Sequence, residues 1–218
     1  MQVVIIQARM GSKRLPGKTM MKIGKFPLLL WVVYSAKITF PKADLYVATS
    51  TEKNDDEIED FCQKFKIKIY RGNLENVYSR FLEIINIKKN YKTIIRFTAD
   101  NPLKNTFLSN ILLFLHINLR LDYTGVAGLS YNLPEFISFN AFEKAKSLKL
   151  NRYDKEHVTP IFYKNRIFKK IIIPRLFLYL FCVGRGITID HSNQYKFAKK
   201  ILLKNKNYYK NLCNYYKQ

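Results

Sequence analysis

The chain predicts an α/β fold with a mostly parallel central sheet and helices on both faces. Three observations carry that prediction. Short apolar runs rich in β-branched residues alternate with longer helical patterns through the first half of the sequence. The first of them, VVII (3–6), is apolar at every position, as in a strand covered on both faces. At 218 residues and 48% hydrophobic content, the chain can bury one large core without disulfides.

The elements follow in order. VVII (3–6) reads as a strand, PLLLWVVYSAKI (27–38) as a buried helix and DLYVATS (44–50) as a second strand. TEKNDDEIEDFCQKF (51–65) is helical: its acidic start suits the positive end of a helix dipole, and Ile58, Phe61, Cys62 and Phe65 form an apolar face. KIKIY (66–70) is a third strand. NLENVYSRFLEIINI (73–87) is a third helix, with Val77, Phe81, Ile84 and Ile85 at helical spacing. TIIRFTA (93–99) and FLSNILLFLHINL (107–119) continue the alternation as strand and helix.

Beyond residue 120 the pattern loosens. DYTGVAG (122–128) and EFISF (135–139) read as strands and FNAFEKAKSL (139–148) as a helix. DKEHVTPIFYKN (154–165) opens another helix whose course Pro160 restricts. IFKKIII and GITI are strands, and SNQYKFAKKILL (192–203) is a terminal helix with Ser192 as its N-cap. No repeat or low-complexity linker interrupts this order. One domain is therefore expected over 1–203, followed by a basic, tyrosine-rich tail over 204–218.

The net charge of +22 invites a polyanion-binding reading. The lysines are scattered, however, in a sequence rich also in Asn, Ile, Tyr and Phe, which favours compositional drift and a solvated surface. Cys62, Cys182 and Cys213 lie far apart and form no disulfide framework, so a reducing compartment is expected. His116, His157 and His191 lack the spacing of a zinc site. The N-terminus does not read as a signal peptide, and the apolar stretch 171–183 contains Pro174 and Arg175 and is too short to span a bilayer. A soluble, cytoplasmic protein is the expectation.

In open parallel sheets ligands bind outside the carboxyl ends of the strands, so the strand exits are the places to look. The first exit carries Gln7, Arg9, Gly11, Ser12, Lys13, Arg14, Pro16, Gly17 and Lys18. Glycine lets backbone N–H groups approach a phosphate, Arg offers a planar fork and Lys a mobile charge. Neither the GxxxxGK[ST] nor the GxGxxG spacing is present. The fourth strand exits at RFTADNPL (96–103), where Asp100 stands at a turn before Pro102, and GITID ends on a second acid, Asp190. Two strand-exit carboxylates opposite a basic glycine loop suit metal-assisted phosphoryl chemistry; as a lone residue, Asp100 reads equally well as a turn residue.

QARMGSKRLPGK, VATS, YRG, ENVYSRF, RFTADNPL, EHVTP and TID occur in the order seen in the SpsF-like cytidylyltransferases, relatives of the sialic-acid and Kdo cytidylyltransferases. The chain resembles that family from residue 1 to about 203. The resemblance implies a Rossmann-like, GT-A-like nucleotidyltransferase fold that takes CTP and Mg²⁺ and transfers CMP to a sugar or sugar-acid hydroxyl, releasing pyrophosphate, for surface polysaccharide or glycan synthesis. It implies triphosphate binding by Arg9, Gly11, Ser12, Arg14 and Lys18, with base and ribose contacts at Ala8, Thr49 and Ser50. Arg71 and Arg96 are expected to line the same cleft. Asp100 and Asp190 would be the metal ligands, and Arg14, Lys18 and Asp100 the catalytic set. Glu135, Glu156 and His157 are candidates for the acceptor pocket.

The sequence departs from the family pattern at Leu133, where an acid is expected near the sugar site, and at Gly186, where a large residue is expected. A homodimer is a further expectation. The lysine- and tyrosine-rich tail leaves open a contact with nucleic acid or an anionic membrane. A nucleic-acid- or membrane-binding protein on an altered nucleotidyltransferase scaffold, or a GT-A-type glycosyltransferase, are the alternative readings; the second usually needs a D-x-D motif, which is absent.

Overall fold

The computed structural model describes residues 1–88, 90–126, 133–174 and 188–216. At its centre is β1 (Gln2–Gln7), whose six residues are extended because Val3, Val4, Ile5 and Ile6 are β-branched and buried on both faces. β4 (Asp44–Ser50) pairs in parallel on one side of it and β6 (Thr93–Thr98) on the other, with β5 (Lys68–Gly72) beyond β4. β2 (Lys22–Ile23) and β3 (Phe26–Pro27) form a small separate hairpin.

Past β6 the sheet turns mixed. β8 (Glu135–Ser138) is antiparallel to both β6 and β7 (Tyr123–Val126), and β9 (Lys170–Ile173) runs parallel to β7. Among the described residues the order is β5-β4-β1-β6-β8-β7-β9, seven strands with one reversed. The mostly parallel sheet with helices on both faces is as the sequence predicts.

Two apolar layers enclose the sheet. On one face Val4 and Ile6 meet α1 (Leu28–Thr39), α2 (Asp56–Lys64) and α4 (Thr106–Asn118). On the other, Val3 and Ile5 meet α3 (Val77–Ile87), α5 (Phe139–Ala145) and α7 (Pro160–Lys164). α1 is buried nearly all round because it is covered twice. The sheet lies below it, and above it sit α8 (Ser192–Lys204) and α9 (Lys206–Tyr215). Trp31 of α1 stacks against Tyr208 and Tyr209 of α9, with ring centroids 5.9 and 5.6 Å away. Tyr208, Tyr209 and Tyr216 thus turn their rings onto the domain, Leu212 is fully buried, and Lys206 and Lys210 face solvent.

Several boundaries differ from expectation for local reasons. β5 begins at Lys68 rather than Lys66, because Lys66 turns left-handed (φ 51°) to close α2, with the Ile67 amide donating to the Cys62 carbonyl. α3 begins at Val77 because the Asn73 side chain accepts the Glu75 and Asn76 amides in a turn, and Asn76 then caps the helix through the Ser79 amide. The helix expected from Asp154 is two: α6 (Arg152–His157), started by Asn151, and α7, separated by Val158 at φ 66°. The N-cap of α8 is His191 rather than Ser192, and Gln194 Oε1 accepts the Asp190 and His191 amides. Of GITI, Thr188 and Ile189 carry no strand; the rest, with Arg185, Gly186 and Cys182, lies outside the described residues. No described helix is long and apolar enough to cross a membrane.

The chain runs outward from β1 through β4 to β5 with its first helices on one face, then returns over the other face to lay β6 beside β1. The strand order therefore reverses between β1 and β6. The carboxyl ends of these two strands open the crevice where ligands bind in such sheets.

Candidate active site

The loop after β1 folds back on one carbonyl. Met10 O accepts the Ser12 amide at 2.8 Å and the Gly17 amide at 3.1 Å, and Gly17 adopts φ 69°, a conformation that glycine takes without steric cost. The Thr19 hydroxyl donates to Arg9 O at 2.8 Å, and Ser12 Oγ accepts the Leu15 amide at 3.3 Å. A Cβ added at Gly11 meets nothing within 4 Å, so the loop is open there. Lys13 and Arg14 are exposed, whereas Lys18 turns inward and is only 8% exposed.

Lys18 reaches both expected acids, Asp100 just past the exit of β6 and Asp190 just before α8. Its Nζ donates to Asp100 Oδ2 at 2.8 Å, to Asp190 Oδ1 at 2.9 Å and to Ile189 O at 2.7 Å. Arg14 adds a second cation, 2.8 Å from Asp190 Oδ1. Asp190 is delivered from the far end of the sequence by the Ile189 amide, which donates to Asp100 O at 2.9 Å. Burial alone would raise the Asp190 carboxyl; Lys18 and Arg14 outweigh it and hold the group below its ordinary range. Among the described residues, Asp100 Oδ1 is buried with no hydrogen-bond partner.

A second polar group lies on the α3 side of the crevice. Arg96 pairs with Glu135 across β6 and β8 and donates to Gln7 Oε1 at 3.0 Å, while the Tyr123 hydroxyl donates to Glu135 Oε1 at 2.5 Å. Glu156 lies 3.4 Å from Arg9, bridging α6 to the first loop. Next to it, partial burial and the charges of Arg96 and Arg9 hold the His157 imidazole below its ordinary value against the opposing charge of Glu156.

Other candidates are already engaged. Thr49 and Ser50 are fully buried, and both hydroxyls donate to Asp55 Oδ2, at 2.8 and 2.5 Å. Arg71 turns to α2, bonding Glu59, Asp56 at 2.7 Å and Ser50 O at 2.9 Å. Ala8 is buried, its amide donating to Ala48 O. Leu133, where an acid is expected, packs in the core at 1% exposure.

Four residues near the crevice were not among the sequence candidates. Asp55 joins the β1 and β4 exits, accepting Met10 N at 2.7 Å. Gln7 holds Arg96. The buried Arg80 donates to Asn73 O and Leu74 O, fixing the turn after β5. Lys104 donates to Leu133 O and lies 5.4 Å over the Phe97 ring; burial draws its ammonium down to about 7 against the pull of Asp100 and Glu135. Arg80 lies within the ENVYSRF segment and Gln7 within the first exit, whereas nothing in NDD sets Asp55 apart from its neighbours.

Residues 3–215 match the family model described as Cytidylyltransferase. The chain is 33% identical over 195 residues to an uncharacterized protein of Methanocaldococcus jannaschii, covering 88% of this chain and 79% of that one. It is 34% identical over 166 residues to the spore coat polysaccharide biosynthesis protein SpsF of Bacillus subtilis, covering 71% of this chain and 67% of SpsF. Among solved structures, a cytidylyltransferase from Leptospira borgpetersenii superposes with a TM-score of 0.80 at 25% identity, over 93% of this chain and 87% of that one.

Proposed function

The chain belongs to the cytidylyltransferase family, and from that premise we propose that it transfers CMP from CTP to a hydroxyl of a sugar or sugar acid, releasing pyrophosphate, in the making of a surface polysaccharide or glycan. The observation that carries this reading is the convergence of Lys18 and Arg14 on Asp100 and Asp190 at the crevice between β1 and β6.

The residues suit a divalent cation. Asp100 keeps a buried oxygen without a partner among the described residues, and Asp190 is held ionised. Among the described residues no cluster of three metal-ligating side chains occurs, which fits Mg²⁺, an ion that takes one or two carboxylates and completes its shell with phosphate oxygens and water. Held by Asp100 and Asp190, Mg²⁺ would offset charge building on the phosphate oxygens.

The chain's own groups do the rest. The open loop at Gly11, with Arg9, Ser12, Arg14 and Lys18, receives the triphosphate, and Arg14 and Lys18 neutralise the leaving pyrophosphate. Thr49 and Ser50 act through Asp55, setting the loop that meets the base and ribose together with the Ala8 backbone. Arg71 braces the neighbouring strand exit. Arg96 and Glu135 form the wall of the acceptor side, leaving Glu156 and His157 as the groups that reach the acceptor. The enzyme works in the cytoplasm.

The test is a thermal-unfolding scan with ATP, GTP, UTP and CTP, each with and without Mg²⁺. A ligand at 100 times its Kd adds about 2.7 kcal/mol to folding stability. Selective stabilisation by CTP with Mg²⁺ is the expected result. Equal, metal-independent effects of all four nucleotides would instead mean nonspecific binding to a surface of charge +22.

A further inference from the structure

Lys18 meets a demand that a metal ion would otherwise meet. An ammonium has three N–H donors, and those of Lys18 find three oxygens at 2.7–2.9 Å, two of them on the acids at the metal position. Mg²⁺ binds oxygen at about 2.0–2.1 Å and requires a near-octahedral shell, so it cannot share that point with Nζ. Charge points the same way. Asp100 and Asp190 are balanced by Lys18 and Arg14, so this group of four carries no net charge to attract a free cation.

A triphosphate changes that balance. It offers Lys18 and Arg14 several anionic oxygens at once, on the loop side of the crevice. Once Lys18 leaves, two carboxylates face each other across a gap one cation had filled, and like charges that close are costly unless another cation replaces it.

We propose that Lys18 is the resident counter-cation of the Asp100–Asp190 pair, that it keeps free divalent metal out of the nucleotide-free protein, and that its transfer to an arriving triphosphate opens the pair to metal. The second half rests on the cytidylyltransferase reading; the first half does not. Metal then enters with the nucleotide and not before it.

The experiment titrates Mn²⁺ into nucleotide-free protein and follows free Mn²⁺ by electron paramagnetic resonance. Lys18→Met should bind Mn²⁺ at least about ten-fold more tightly than the unmodified protein, because its two carboxylates have lost their nearest cation. Lys18→Met/Asp100→Asn should lose that gain. Equal Mn²⁺ affinities of the unmodified protein and K18M overturn the proposal.

Should K18M fail to fold, the unmodified protein still decides the matter through the ¹⁵N resonance of the Lys18 ammonium. Millimolar Mg²⁺ alone should leave that resonance unchanged, and Mg²⁺ with CTP should shift it. A shift with Mg²⁺ alone overturns the exclusion. A ten-fold gain in K18M together with no binding of CTP to the unmodified protein would overturn the assigned reaction while leaving the displacement of metal by Lys18 intact.

Discussion

The Asp55 carboxylate accepts the Met10 amide at 2.7 Å through one oxygen and the Thr49 hydroxyl, the Ser50 hydroxyl and the Ser50 amide through the other. One buried acid thereby joins the phosphate-facing loop after β1 to the exit of β4. Burial would raise its carboxyl, but these donors hold it below the ordinary range. Asp55→Ala leaves buried donors without acceptors, each worth about 1–3 kcal/mol. With four donors stranded, the variant should lose about 4 kcal/mol or more in urea unfolding, and its KM for CTP should rise by more than its kcat falls, because Asp55 touches the loop and not the reacting phosphate. A variant with unchanged KM would show that the loop holds its shape without this acid.

How legible was this in the sequence? The βα alternation and Asp100 could be read, because buried parallel strands leave apolar runs and because Asp100 closely follows one; Asp190 was expected at a strand end, and the described residues before it carry no strand. Asp55 could not, since an acid beside three others at a helix start looks like one more dipole-compensating residue until the fold turns its side chain inward. The same holds for Arg96: the resemblance placed it in the nucleotide cleft, whereas its partner Glu135 lies on β8, and only sheet pairing brings the two together. The break between α6 and α7 depends on the left-handed Val158, which propensity does not foresee.

Asp100, expected at a turn, is 22% exposed at its side chain and bound to Lys18. Truncation to Ala would therefore disturb packing as well as chemistry. Asp100→Asn keeps the shape and still offers Lys18 an oxygen, so the fold should hold within about 1 kcal/mol, while CMP transfer, read by pyrophosphate release, should fall by a factor of about 100–1,000 or more. Retained turnover with Mg²⁺ present would remove Asp100 from the catalytic set.

The Arg96–Glu135 pair is buried on both sides, at 8% and 9% side-chain exposure. Removing one partner of such a pair costs about 3–5 kcal/mol, whereas replacing both by apolar residues is close to neutral. Glu135→Leu should therefore destabilise the protein strongly and Arg96→Met/Glu135→Leu much less. If these residues wall the acceptor pocket, the double variant should keep its KM for CTP and raise the KM for the acceptor sugar. Equal rises in both constants would place the pair elsewhere in the mechanism.

Acid sensitivity has an identifiable source. His116 is buried, its Nδ1 3.0 Å from Thr124 Oγ1, and burial draws its imidazole down to about 4 against the opposing charge of Asp122. The unfolded chain takes up this proton near pH 6.5, whereas the folded chain does so only near 4. The contribution is thus complete above about pH 6.5 and is lost as the pH falls to about 4, a change on the order of 3 kcal/mol. His116→Gln should flatten unfolding free energy across that window. The Asp55 and Asp190 contributions, present above about pH 3.9, fade only below it.

The basic tail poses the last question, since lysines alternating with tyrosines suit either a polyanion-binding arm or a structural helix. The rings decide what the segment can offer. Tyr208 and Tyr209 stack on Trp31, Tyr216 meets Phe65 edge-on at 5.5 Å, and Leu212 is fully buried. Faces spent on the domain are not available to stack on bases. Truncation after Lys204 should therefore lower the unfolding midpoint and shift Trp31 emission to the red, because it uncovers the sole tryptophan. Lys206→Gln/Lys210→Gln should change neither, since both lysines face solvent. A truncated chain with unchanged stability and emission would make residues 205–218 an appendage rather than the outer cover of α1.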